Sequence, residues 1–305
     1  MTAYVIRRVL WVIPVMIVIS LITFILMHAT PGGPFDTEKA HTAAVTANLE
    51  HKYGLDKPIP EQYLLYVGHA LRGDLGISYT YQDRNVRDII ASGMPTTGRL
   101  AGLALLVALV FGITLGTVSA LRQNTWADYV SLTFATAGAS TPNFVWAMIL
   151  IVIFSLTLHL LPTGGWGHPQ QMVLPVLALA FTPAAYLARI TRASVLEVRH
   201  QDYVRTARAK GVGQRMLISR HILRNGLIPV VTVIGPIFAG LFAGSFIIES
   251  IFSIPGTGRL FVQAIDGRDY PLIMGTTLFY ALIIVVMNLF VDLLYAVIDP
   301  RIRYR

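Results

Sequence analysis

Residues 194–229 read SVLEVRHQDYVRTARAKGVGQRMLISRHILRNGLIP, the one long charged segment in the C-terminal two-thirds of a very apolar chain. Counting Arg189 and Arg192 just before it, nine basic residues run through Arg199, Arg205, Arg208, Lys210, Arg215 and Arg220 to Arg224. Only Glu197 and Asp202 oppose them. The segment reads as two helices meeting at Gly211 and Gly213, because glycine costs a helix interior about 1 kcal/mol relative to alanine and suits a turn. Before Gly211, Val204, Ala207 and Ala209 are small or apolar while Arg205, Arg208 and Lys210 interleave. A short amphipathic helix with a small-residue face fits a groove on a soluble partner. A basic loop resting on anionic headgroups would explain the charge, but not a small-residue helix that ends in glycine.

Outward from this segment the chain turns apolar. Charged residues make up 13% of it and hydrophobic ones 54%, against roughly a quarter charged in a soluble domain. That composition predicts an all-α integral membrane protein. The net charge of +8 does not point to nucleic acid, since the positive charges cluster beside apolar spans, where topology explains them. With no cysteine, disulfides, thiolate metal sites and a cysteine nucleophile are excluded. The eight histidines show no zinc spacing, so no metal site is expected.

A membrane helix needs about 20 predominantly apolar residues. Residues 9–29 meet that and follow Arg7 and Arg8, which places the N-terminus in the cytoplasm; the run is too long for a signal-peptide core. Residues 30–95 carry eight acids against six bases and several turn signals, and read as an extracytoplasmic subdomain. Within them GDLGIS (73–78) is, on physical grounds, a glycine-bearing turn. The second span covers 100–121, with Gly112 and Gly116 as a small-xxx-small pair that marks a close helix crossing. Residues 129–187 lack Asp, Glu, Lys and Arg altogether, and PTGGWGHP (162–169) divides them into spans at 129–158 and 172–188. The prolines at 175 and 183 suit either an ordinary kinked helix or one lining a pathway. A fifth span covers 230–248, an outer loop 249–270, and a sixth span 271–298. The predicted organisation is therefore a cytoplasmic tail and first helix (1–29), the extracytoplasmic subdomain (30–95), a five-helix core (96–298) holding a cytoplasmic loop at 190–228, and a cytoplasmic tail (299–305). Fifteen of the 24 Lys and Arg fall on the cytoplasmic side of this six-helix topology, as the positive-inside rule requires.

Few ionisable groups remain near the membrane. Asp292, inside the sixth span, suits a structural pairing with an arginine better than a proton relay. Arg99 and Glu249 sit at outer helix ends, where a charge reaches headgroups or water, or lines a gate. No GxxxxGK[ST] or GxSxG occurs, so the chain is not expected to be an enzyme or to bind nucleotide itself. Two transport readings follow: a translocation subunit energised from outside, and a self-contained proton-driven transporter, for which only Asp292 offers a candidate group. A membrane enzyme finds no constellation to support it.

The 205–211 string decides between them by resemblance. Arg205-Thr206-Ala207, then Arg208-Ala209-Lys210 and Gly211, is similar to the coupling loop of ABC-importer permeases, whose general pattern is Glu-Ala-Ala, three residues, Gly, and later Ile-x-Leu-Pro. His221-Ile222-Leu223-Arg224 fills that last slot, with proline only at Pro229. The departures at Arg205 and Arg224 match the peptide-importer branch. The whole chain, from RRVLWVIPV through ESIFSIPGTGRL to YAVIDPRIR, resembles the B-type permease of oligopeptide and dipeptide importers. The resemblance implies a type I ABC importer permease fold with six transmembrane helices in the bacterial cytoplasmic membrane. It implies a C-type permease as heterodimer partner, two ABC ATPase subunits that bind ATP and Mg, an extracytoplasmic peptide-binding protein and a peptide substrate. Relatives serving nickel chelates or glutathione leave the cargo open. Arg205, Thr206, Ala207, Arg208, Ala209, Lys210 and Gly211 are the expected ATPase-coupling residues, with no cofactor in this chain.

Overall fold

Backbone amides in hydrocarbon find partners only within their own segment, so long uncharged runs close as helices. In the computed structural model, which describes residues 2–35, 48, 50, 51, 53–81 and 83–298, this is what they do; the side chains of 2–6, 9 and 291–298 stand outside the description. The expected tail at 299–305 and the Asp292 side chain thus lie outside the described residues.

Among the described residues five helices are long and apolar enough to cross a membrane: α1 (Thr2–Ala29), α3 (Val86–Leu121), α6 (Pro169–Arg199), α8 (Ile228–Ile251) and α10 (Tyr270–Ile298). The count reaches six when a bent pair is taken as one span: α4 (Trp126–Ser140) and α5 (Asn143–Leu150), the latter continued by a π-helical stretch, Ile151–Thr157. Shorter helices are α2 (Ile59–Ala70), α7 (Asp202–Ala209) and α9 (Thr257–Asp266). The π-helical Leu217–Leu223, between Gln214–Met216 and Arg224–Gly226, completes the segment before α8.

Four boundaries differ from the sequence reading. The 129–158 span is not one straight helix but turns through 111°, because Thr141 precedes Pro142 and is held extended (φ −114°, ψ 127°); a residue before proline is disfavoured in the helical region. α3 starts at Val86 rather than near 100, since Val86, Ile89 and Ile90 bury themselves in an apolar cluster that outweighs the charges at Arg87 and Asp88. The fourth helix extends to Arg199, so Arg189, Arg192 and Arg199 ride on a helix rather than in a loop. The 249–270 segment contains a helix, α9, where a loop was expected.

The described residues divide into two compact units, one formed by those up to 97 with 255–286, the other by 98–254 with 287–298. In the first unit, Phe24 and Met27 of α1 pack with Val86, Ile89 and Ile90 of α3 and with Leu272, Ile273 and Met274 of α10. The GDLGIS turn has a specific task there. Gly76 sits at φ +85°, and its carbonyl accepts from the Val86 amide at 3.0 Å. Ser78 donates its hydroxyl to the fully buried Asp269, which also accepts from the amides of Thr80 (3.0 Å) and Leu272 (3.2 Å). The 73–81 segment is thereby fastened to the start of α10, 189 residues away in sequence. In the second unit the glycine pair is a contact between backbones. A Cβ on Gly116 would stand 2.5 Å from the Ala188 carbonyl, and one on Gly112 would stand 2.5 Å from Leu187 Cβ.

Candidate functional site

The basic segment folds as a helical element on the ends of α3 and α6. α6 stops at Arg199; Gln201 is extended (φ −68°, ψ 148°) and starts α7. Asp202 in its first turn and Arg208 in its last complement the helix dipole. At the far end the Val212 amide reaches back to the Ala207 carbonyl (3.2 Å) and the Gly211 amide to the Arg208 carbonyl (3.0 Å). This is a Schellman-type ending, which requires a left-handed residue. Gly211 supplies it at φ +79°.

Two residues decide which way α7 faces. Val204 and Ala207, three apart and so on one side of the helix, are buried against Ala120, Val195, Leu217 and Ile222. Ala207, 8% exposed, therefore does not lie on the side open to a partner, as the small-face reading expected; it is spent on the chain's own core. The open side carries Arg205, Thr206, Arg208, Ala209, Lys210 and Gly211, all exposed. Two large side chains are exposed as well, Tyr203 (40%) on α7 itself and Met216 (51%) in the short Gln214–Met216 helix that follows. Arg205 makes only a loose 3.8 Å contact with Asp202, both well exposed, so its charge stays available. Asn225 donates to the Tyr203 hydroxyl at 2.7 Å, which fixes the ring at the rim.

Two arginines counted with the basic segment are engaged internally. Arg199 donates to the carbonyls of Ala120 (3.1 Å) and Leu121 (3.5 Å), capping α3 where its last carbonyls lack partners. Arg192 forms a bidentate pair with Asp128, Nε to Oδ1 at 2.8 Å and Nη2 to Oδ2 at 3.0 Å. The sequence reading missed this pair. The available signal was an acid in a turn at one end of the second span and an arginine at the same end of the fourth.

Glu249, expected to reach headgroups or water, is instead completely buried and accepts from the Ser245 hydroxyl at 2.8 Å, one helical turn back. Arg99 is exposed. Near the α4–α5 break lies a cavity of about 630 Å³ bordered by Thr141, Pro142, Asn143, Thr182, Pro183 and Tyr186. Pro183 has no amide to give, which frees the Leu179 carbonyl one turn earlier; Leu179 also borders the cavity.

Residues 112–304, including all of α7, match the family model described as "Binding-protein-dependent transport system inner membrane component", and residues 1–101 match its N-terminal counterpart. The chain belongs to this family of transport-system membrane components. The dipeptide transport system permease protein of Bacillus subtilis is 44% identical to this member over 99% of its length and 98% of the relative's. The oligopeptide transport system permease protein of Haemophilus influenzae is 42% identical over the full length of both. Among solved structures, the crystal structure of an amino acid ABC transporter with histidines covers 71% of this family member and 95% of its own chain, at 21% identity and TM-score 0.51. At that identity the likeness is one of fold, the type I importer permease fold, and the chain is a multi-pass membrane protein.

Proposed function

We propose that this chain is the B-type permease of an ATP-driven peptide importer and that α7 is its coupling helix. On this reading both termini and α7 lie on the cytoplasmic side, residues 30–95 lie outside, and a C-type permease completes the translocation path. Two ATPase subunits, which bind ATP and Mg, dock on α7, and an extracytoplasmic binding protein delivers the peptide. The observation that carries it is the open side of α7, where Arg205, Arg208 and Lys210 are exposed together with Tyr203, on a short helix anchored by its other side to the ends of two spans. Charged and large apolar groups exposed together suit a protein groove better than a solvated face. The full-length likeness to dipeptide and oligopeptide permeases supports the cargo.

ATP binding draws the ATPase subunits together. The exposed side of α7 follows, and the helix ends attached to it rock between two states, each favoured by different contacts. Exchanging Arg205 and Lys210 for Glu together reverses the exposed charge without touching Val204 or Ala207. In reconstituted importer the double variant is expected to stay folded while peptide uptake falls at least about tenfold, a loss of about 1.4 kcal/mol in the coupling. Uptake at the wild-type rate would remove α7 from the docking role.

A further inference from the structure

Asp128 is a buried carboxylate, its side chain 2% exposed, in the first turn of α4. It accepts from Arg192 Nε and Nη2, from the Ser119 hydroxyl and from the Asn124 amide. Four donors fill a carboxylate's acceptor positions, so the group is built as a fixed anion rather than as a proton carrier. The donors come from the last turn of α3, the α3–α4 connection and α6. Seven residues beyond Arg192, Arg199 caps the carbonyls of Ala120 and Leu121, and between the two arginines Val195 packs on Ala120, Val204 and Ile222. Positions 192, 195 and 199 share one side of α6, which is thus fastened three times over its last turns. α7 begins at Asp202, immediately beyond.

Stability alone does not account for an ion pair at this place. Burying two charges costs desolvation, and apolar replacements of similar volume are often as stable. What a bidentate arginine–carboxylate pair adds is direction: two parallel bonds hold helices at one register and angle, where an apolar contact slides. We propose that Asp128 and Arg192 are positioning residues, a clamp that makes the ends of α3, α4 and α6 follow α7 as one body. The inference rests on the coupling role of α7 proposed above and names the parts that carry its movement into the spans.

The test uses the whole importer in liposomes, with both permeases, the ATPase subunits and the binding protein, and radiolabelled trialanine as cargo. The readout is ATP hydrolysed per peptide taken up, which a merely structural pair would leave unchanged in a folded assembly. The apolar pair Asp128→Leu with Arg192→Met is expected to assemble and to hydrolyse ATP. It should consume at least about fivefold more ATP per peptide, the lower end of typical coupling between sites. Arg192→Lys, which keeps the charge but loses the fork, should fall between that pair and the wild type. A wild-type ratio in the apolar pair overturns the proposal; if that pair does not assemble, a wild-type ratio in Arg192→Lys overturns it. If wild-type liposomes show no ATP-dependent uptake, or charge reversal at Arg205 and Lys210 has no effect, the coupling role itself fails and the clamp with it. Uptake that responds to Arg205 and Lys210 but not to Asp128 and Arg192 sinks the clamp alone.

Discussion

Gly211 and Gly213 lie two residues apart, and neither has a neighbouring atom within 4 Å of where a Cβ would stand. Sterically they are equivalent; conformationally they are not. Gly211 holds φ +79°, whereas Gly213 has φ −59° and ψ 145°, which any residue adopts. An L-residue in the left-handed region costs roughly 1–2 kcal/mol, while replacing glycine with alanine gains about 0.4–1 kcal/mol by restricting the unfolded chain. Gly211→Ala should therefore destabilise the end of α7 by about 1 kcal/mol net, and Gly213→Ala should be neutral or slightly stabilising. The bond that suffers is the one from the Val212 amide to the Ala207 carbonyl, already 3.2 Å long. Hydrogen exchange of the permease in nanodiscs reads this directly. Amides at 210–212 should exchange about fivefold faster in Gly211→Ala, as about 1 kcal/mol of local opening implies, and no faster in Gly213→Ala. Equal behaviour of the two variants would show that the left-handed ending does not hold α7, and would refute the reasoning.

The two alanines of α7 should separate as sharply. Ala207→Asp places an unpaired charge in the cluster around Val195 and Ile222 and should cost about 3 kcal/mol or more, seen as rapid proteolysis of the 200–215 segment. Ala209→Asp, on the exposed side, should leave proteolysis unchanged. In α3, Gly116→Ala pushes a methyl to 2.5 Å from the Ala188 carbonyl and should cost about 1–3 kcal/mol through overpacking. Gly102→Ala meets nothing within 4 Å and should be neutral or stabilising; thermal inactivation of the two variants side by side checks the order. Asp269→Ala strands the amides of Thr80 and Leu272 together with the Ser78 hydroxyl. An unmet buried donor costs about 1–3 kcal/mol, so exchange at 78–81 should accelerate well over tenfold while exchange within α7 stays put.

Much of the architecture was legible because hydrocarbon admits few backbone solutions. Uncharged runs of span length had to be helices, and the 205–211 string announced a helix ending in glycine; both readings rest on short-range rules. Gly112 and Gly116 were recognisable as a crossing from their spacing alone, although the partner, α6 at Leu187 and Ala188, was not. What failed to show depended on neighbours distant in sequence. The small side of α7 looked suited to a partner, yet Ala120 and Val195 claim Val204 and Ala207. Glu249 looked like a surface charge, but packing buries it completely beside Ser245. The GDLGIS turn looked generic because Asp269, the acid that holds it, lies 191 residues away from Ser78.

By itself, then, the order of residues determined the class of solvent, the presence of long apolar helices and the position of the charged element along the chain, since each follows from composition and helical period within a few turns, while the ends and the break of those helices did not. Only the tertiary structure decided which arginines stay exposed and which are spent inside, because Arg192 and Arg199 differ from Arg205 and Arg208 not in kind but in what stands opposite them. A buried carboxylate or a free carbonyl within about 3 Å settles a guanidinium's role, and that distance is set by how the helices cross.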